Sequence, residues 1–240
     1  MTALLTEKAQ QAAVELAPLS AGARLEWAQA KFPGEVVAST SFGIQSAVTL
    51  HLLRTHAPNI PVVLVDTGYL FPETYQYAET LRERLELDLR VYTPRLTAAH
   101  QEALFGKRWE DGPDALAAYN RDNKVEPMNR AMTELGARVW ISGVRRAQST
   151  SRANRPVLEA QNRVWKLYPI LEWNEKAIYD YMIAHDLPFH PLWEKGYVSV
   201  GDWHSTAPLT AGMTAEETRF GGEKRECGLH ELSGQADWQI

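Results

Sequence analysis

The sequence predicts an α/β fold: a parallel β-sheet with helices on both faces. Three observations carry that expectation. Short, wholly apolar runs alternate with segments of helical periodicity. The first, second and fourth runs end in serine, threonine, aspartate or glycine, the residues of strand-to-helix turns. No internal repeat or low-complexity segment interrupts the 240 residues.

The elements follow in order. Residues 4 to 32 read as helical with a break near Pro18-Leu-Ser20, and Ser20 is an N-cap for Ala21 to Ala30. Pro33-Gly34 is punctuation. Glu35-Val-Val-Ala-Ser-Thr40 is a buried strand, and Gly43 to His56 a helix whose Ile44, Val48 and Leu52 form one apolar stripe. Pro61-Val-Val-Leu-Val-Asp66 is the second strand, followed by a helix from about Pro72 to Leu87. Leu89 to Thr93 is a third strand and Val139 to Val144 a fourth. Lys166-Leu-Tyr-Pro-Ile-Leu171 is a fifth, expected at an edge or irregular because Pro169 cannot donate to a ladder. Asn174 caps a helix running to about His185. From Pro188 onward helical periodicity is weak until Thr214. Residues 1–195 are therefore expected as one domain and 196–240 as a loop-rich, mobile tail.

Bulk properties exclude several classes. Net charge is −5 with a pI of about 5.8, so nucleic acid or an anionic membrane has no general basic field to meet. No run of about 18 apolar residues is present to span a bilayer. The first residues lack the basic start and apolar core of a signal peptide. Cys227 is the single cysteine, which excludes an intrachain disulfide and a cysteine-ligated cluster within one chain. A reducing, cytoplasmic setting fits that usage.

In a parallel sheet, ligands gather at the carboxyl ends of the strands. The first strand runs out into Ser39-Thr-Ser-Phe-Gly-Ile-Gln-Ser46. It is either an anion cradle built on Ser39, Ser41, Phe42, Gly43, Gln45 and Ser46, or an ordinary capped turn. It has neither the lysine of a Walker loop nor a Gly-x-Gly-x-x-Gly fingerprint. The second strand ends in Asp66-Thr67-Gly68, where turn capping is the simpler role. After the fourth strand, Arg145, Arg146, Arg152 and Arg155 are interleaved with Gln148, Ser149, Thr150 and Ser151. In an acidic chain that grouping favours phosphate or sulfate, because the guanidinium fork matches such oxyanions. Cys227 has Arg219, Lys224, Arg225 and His230 nearby in sequence, and cations favour the nucleophilic thiolate. A core cysteine would sit among apolar neighbours, so a reactive thiol is the preferred reading.

Together these segments resemble the phosphoadenosine phosphosulfate (PAPS) reductase family, from about Gly34 to His230. The marks are Ser41-Phe-Gly-Ile-Gln-Ser46, Val65-Asp-Thr-Gly-Tyr-Leu-Phe-Pro-Glu-Thr74, Asn123-Lys-Val-Glu-Pro-Met-Asn-Arg130, Gly143-Val-Arg-Arg146 through Arg152, Pro191-Leu-Trp193 and Glu226-Cys-Gly-Leu-His230. The resemblance implies an adenine-nucleotide α-hydrolase-like, Rossmann-like fold. It also implies reduction of PAPS to sulfite with reduced thioredoxin or glutaredoxin as donor, in assimilatory sulfate reduction. By the same resemblance Cys227 attacks the sulfo group and becomes an S-sulfocysteine, with Lys124, Arg219 and His230 as catalytic partners. Arg145, Arg146 and Arg152 would hold the phosphates, and the turns at Ser39–Ser46 and Asp66–Gly68 the rest of the nucleotide.

Relatives acting on adenosine phosphosulfate (APS) usually carry a four-iron cluster on paired cysteines. The matching positions here hold Tyr119-Asn120, Asp202 and Ser205, so neither an iron–sulfur cluster nor a bound metal is expected. The family suggests a homodimer. The alternatives are a cluster-free APS reductase and an ATP-pyrophosphatase-type enzyme of the same superfamily. The latter carry Ser-Gly-Gly-x-Asp-Ser where this chain reads Ser41-Phe-Gly-Ile-Gln-Ser46.

Overall fold

The computed structural model describes residues 2–161, 164–215 and 217–219. Its centre is a six-stranded sheet of β1 (Val36–Ser39), β2 (Val62–Val65), β3 (Leu89–Tyr92), β4 (Val139–Ser142), β5 (Leu158–Gln161) and β6 (Val164–Leu167), in the order β3-β2-β1-β4-β6-β5. All pairings are parallel except β5 with β6. The chain steps outward from β1 to β2 and β3, then returns to lay β4 against the other side of β1. That reversal is a topological switch point, where strand-end loops diverge and leave a crevice. Register places Ser39 opposite Ser142 at its mouth.

Alternation along the strands builds two unequal cores. Val36, Ala38, Val62, Leu64, Val139 and Ile141 face the larger one. There they meet helices α1 (Thr2–Leu16), α2 (Ala21–Lys31), α3 (Ser46–His56), α4 (Pro72–Arg84) and α8 (Glu175–Ala184). Val37, Val63 and Trp140 face the other side and pack on Met128, Ala131 and Met132. Helices on both faces are thus present. Burial on both sides explains why the strands read as unbroken apolar runs rather than alternating ones.

Ser20 and Asn174 cap their helices through Ala23 N and Ala177 N, as the sequence leads one to expect. Other expectations need correction. The third helix begins at Ser46, because Phe42 adopts a left-handed conformation (φ 48°) and keeps residues 41–45 as a turn. Pro72 does open α4 at its first turn, but the helix ends at Arg84. The strand expected at 166–171 is β6, Val164–Leu167. It is interior, flanked by β4 and β5, and Pro169 lies beyond it in a turn. Edge strand β5 has no counterpart in the sequence reading, since Leu158-Glu-Ala-Gln161 is half polar.

Nor does the sequence reading foresee α5 (Ala98–Phe105), α6 (Gly112–Asn120) and α7 (Glu126–Glu134). The last two are joined by a π-helical turn, Arg121–Val125. Residues 196–215 and 217–219 fold back over the strand ends. Leu70 bridges Asp202, Thr206 bridges Arg219, and the Trp203 amide donates to the Tyr69 carbonyl at 2.9 Å. No helix among the described residues is long and apolar enough to cross a membrane.

Candidate active site

A cavity of about 290 Å³ occupies the switch point. Its floor is made of strand ends: Ser39 and Thr40 from β1, Val65 and Thr67 from β2, Ser142 and Gly143 from β4. Its wall away from the sheet is the returning segment Val198–Asp202. Four cations, Lys124, Arg145, Arg152 and Arg219, line it against one carboxylate, Asp202. In a chain of net charge −5, that concentration of positive charge around a small cavity suits a multiply charged anion.

Two clusters supply the charge. The first is buried. Lys124 stands in the π-helical turn, an irregularity that aims its side chain inward. Its Nζ lies 2.7 Å from Asp202 Oδ2, and the two side chains are 8% and 1% exposed. Asp202 Oδ2 also accepts from the Tyr119 hydroxyl at 3.1 Å, and Oδ1 accepts from Thr67 Oγ1 at 2.6 Å. Burial alone would push the Asp202 carboxyl up. The Lys124 ammonium and the Thr67 hydrogen bond outweigh it and hold the group down at about 2.

His204 stacks on Trp109 at 3.9 Å and meets the Tyr119 oxygen through Nε2 at 3.2 Å. Tyr119 gives its proton to Asp202, so the imidazole is the tautomer that donates from Nε2. Burial lowers its pKa to about 4, with Asp202 opposing and Lys124 and Arg219 reinforcing, so the ring is neutral. Arg219 is held by the Thr206 bridge and lies flat against Gly201. A Cβ added there would stand 2.4 Å from both terminal guanidinium nitrogens, Nη1 and Nη2, so glycine is what leaves room.

The second cluster is the loop after β4. Arg145 is 1% exposed, yet its partner Glu175 is 65% exposed. The guanidinium donates to Glu175 at 2.7 Å, to the Trp173 carbonyl at 3.2 Å and to Gln45, whose amide in turn donates to Glu175. Gln148 Oε1 accepts from the Arg145 amide at 3.0 Å and from Arg152 at 2.6 Å, so Arg145 and Arg152 share one brace.

The structure thus brings most of the sequence-predicted residues together. Ser39, Ser41, Gly43, Gln45, Ser46, Thr67, Lys124, Arg145, Arg152 and Arg219 all line the cavity. Four stand behind it. Phe42 is fully buried in the main core and serves the turn through its amide, which donates to Thr40 Oγ1. Asp66 accepts from the Gly68 amide at 2.9 Å and from the Tyr75 hydroxyl at 2.6 Å, which is turn capping. Gly68 supplies that turn's positive φ of 78°. Arg146 points to the Arg155 carbonyl, 2.7 Å away, and toward Glu172. Cys227 and His230 lie outside the described residues.

The sequence reading missed Thr49, Gln148 and the run Val198–Gly201 as lining residues. Asp202 and Ser205 figured only as positions without cysteine. Gly201-Asp202, a glycine beside an acid in a loop-rich stretch, was the available signal.

Three comparisons bear on this architecture. Residues 35–208 match the family model described as phosphoadenosine phosphosulfate reductase domain. The chain is 54% identical over 217 residues to a phosphoadenosine 5'-phosphosulfate reductase of Cronobacter sakazakii, covering 90% of this chain and 89% of the relative. Against the Escherichia coli (strain HS) protein of that name it is 55% identical, with the same coverage. Among solved structures it is similar to a Candida auris phosphoadenylyl-sulfate reductase in phosphate complex, with a TM-score of 0.74 and 29% identity over 84% of this chain and 97% of that one. A Candida glabrata FMN adenylyltransferase shares the fold, with a TM-score of 0.55 at 16% identity over 92% of this chain and 73% of that one.

Proposed function

Because the chain belongs to the phosphoadenosine phosphosulfate reductase family, we propose that the switch-point cavity is where it reduces PAPS to sulfite and adenosine 3',5'-bisphosphate for sulfate assimilation. The observation that carries the reading is the pair of cationic clusters at opposite ends of one cavity of nucleotide-site dimensions. PAPS is an anion at both ends, with a 3'-phosphate on the ribose and a phosphosulfate on the 5' side.

The phosphosulfate lies at the buried cluster, against Lys124 and Arg219. The 3'-phosphate lies toward the Arg145–Arg152 loop. The Cys227 thiolate attacks the sulfo sulfur. A sulfur–sulfur bond forms, the bond from that sulfur to the bridging oxygen breaks, and the 5'-phosphate departs with the electron pair. Negative charge rises on the bridging and sulfo oxygens as this happens, and fixed cations stabilise it. The Cys227 S-sulfo group is then attacked at Sγ by a thioredoxin thiolate. Sulfite leaves with the bond's electrons, and the second thioredoxin thiol resolves the mixed disulfide. Glutaredoxin can fill the same role, since the step needs only a dithiol donor.

Tyr119, Asn120, Asp202 and Ser205 are all buried. A phenol, an amide, a carboxylate and a hydroxyl are not the thiolate set an iron–sulfur cluster needs, and their partners already satisfy Tyr119 and Asp202. The proposed mechanism uses no iron–sulfur cluster. A homodimer in the cytoplasm is the setting that goes with it.

The test is sulfite production from PAPS and from APS at equal concentration with reduced thioredoxin. PAPS is expected to be strongly preferred, and Cys227→Ser to bind adenosine 3',5'-bisphosphate without releasing sulfite. A preference for APS would move the substrate assignment. Pyrophosphate release from ATP would replace it with the adenylating reaction.

A further inference from the structure

The carboxylate in the cavity poses a problem. A site for a multiply charged anion gains nothing in binding from a buried negative charge at its wall, yet Asp202 is held there by both carboxylate oxygens and by its carbonyl. Oδ1 accepts from Thr67, and Oδ2 from Lys124 and Tyr119. Its backbone bridges Leu70, and its carbonyl accepts from the Ser205 amide at 3.1 Å and the Thr206 hydroxyl at 2.9 Å. These contacts come from β2's turn, from α6, from the π-helical turn and from the returning segment. They fix the carboxylate from four directions.

Lysine is the residue that needs such a neighbour. Its ammonium sits on a flexible four-carbon stem, and nothing in its own geometry sets where the charge points. A cation that stabilises developing charge acts only if already in place when the charge appears. Lys124 Nζ lies 2.7 Å from Asp202 Oδ2, and that contact fixes where the ammonium stands in the cavity lining.

We propose that Asp202 is a positioning residue for the reaction: it holds the Lys124 ammonium at the phosphosulfate end of the cavity, sacrificing some ground-state affinity for placement. The inference rests on the PAPS-reductase reading and deepens it. Asp202 touches no reacting atom and acts through Lys124. The same residue steadies the neighbouring cation, because Gly201 beside it backs Arg219 and Thr206 on its carbonyl bridges Arg219.

The test is a double-mutant cycle of Asp202→Asn and Lys124→Met in the full-length enzyme, with sulfite release from PAPS as one readout and affinity for adenosine 3',5'-bisphosphate as the other. Asp202→Asn keeps the shape but loses the charge. Its kcat is expected to fall by about ten- to a hundredfold, with bisphosphate affinity unchanged or tighter. In the Lys124→Met background the further change is expected to leave kcat where it was, because the lysine it acts through is gone. The double variant is also expected to melt above Lys124→Met alone, since it no longer buries an unpaired carboxylate.

A merely structural Asp202 gives the opposite pattern. Turnover per folded molecule then stays within about twofold of the parent, or the two losses multiply, and either result overturns the proposal. If Asp202→Asn does not fold, Thr67→Val decides. It removes the bond to Oδ1 together with the acceptor of the Tyr69 amide, and kcat should fall several-fold; an unchanged kcat overturns the proposal. Absence of PAPS turnover in the unmodified enzyme would instead defeat the reaction assignment itself.

Discussion

The two ends of the cavity treat their cations differently. At the β2 end, Lys124 is paired with a carboxylate that is itself buried and fully satisfied. At the β4 end, Arg145 is just as buried, but its carboxylate partner, Glu175, is mostly in solvent. A buried pair breaks only at a large desolvation penalty, while a half-exposed one exchanges with water and with a competing anion. On the proposed assignment the β2 end would hold a cation still during chemistry, and the β4 end would let a phosphate displace an acid.

Substitutions can break that contrast, and the largest effect is expected at Lys124. Lys124→Met should lower kcat by about a hundred- to a thousandfold with a modest change in bisphosphate affinity; steady-state kinetics beside equilibrium binding would show the split. Arg145→Ala should do the reverse. About tenfold in KM for PAPS is expected, with kcat held, and a loss confined to kcat would erase the distinction between the ends.

Gly201→Ala comes next. The new methyl would displace the Arg219 guanidinium, with which it overlaps at 2.4 Å. Turnover should drop about tenfold while the melting temperature barely moves, because a long side chain can swing aside where backbone could not. Glu175→Gln is the smallest of the substitutions. Removing the competing charge from Arg145 should tighten adenosine 3',5'-bisphosphate binding about two- to threefold, an effect that weakens as salt is raised.

Acid sharpens the comparison in another way. Burial lowers the pKa of His190 and of His204 from 6.5 to about 4. Above pH 6.5 both are neutral folded or unfolded, and they add no pH dependence. Between 6.5 and about 4 only the unfolded chain takes up these protons, so stability should fall as pH drops through that window. Asp202, held at about 2, contributes no loss until lower pH. Denaturant titrations across the range check the sign: stability that rises from pH 6.5 to 4 would contradict the buried neutral imidazoles.

What could be read from the sequence follows the physics of each signal. The three central strands β1, β2 and β4 were legible because burial on both faces makes them continuous apolar runs. The turns after β1, β2 and β4 were legible because chemistry at a strand end needs small, hydroxyl or cationic residues. The hairpin β5–β6 was misjudged because Pro169, which looked like a strand interruption, lies past the strand end. Residues 98–134 escaped because α5 has no apolar stripe and α6 and α7 are joined by a π-helical turn that breaks any single period. Within the site, Lys124 and Arg219 came from likeness to a family, not from spacing. Asp202 was passed over because its importance lies in long-range contacts, with Thr67 and Tyr119 at sequence separations of 135 and 83, that no local pattern encodes.

The central claim is that a preorganised cationic cavity presents a sulfo group to Cys227. Single-turnover incubation of the enzyme with PAPS in the absence of any thiol donor, followed by intact and peptide mass analysis, tests it most directly. The peptide containing Cys227 is expected to gain one SO3 group and to lose it as sulfite when reduced thioredoxin is added. Sulfite formation with no adduct on Cys227, or equal turnover by Cys227→Ser, would contradict it.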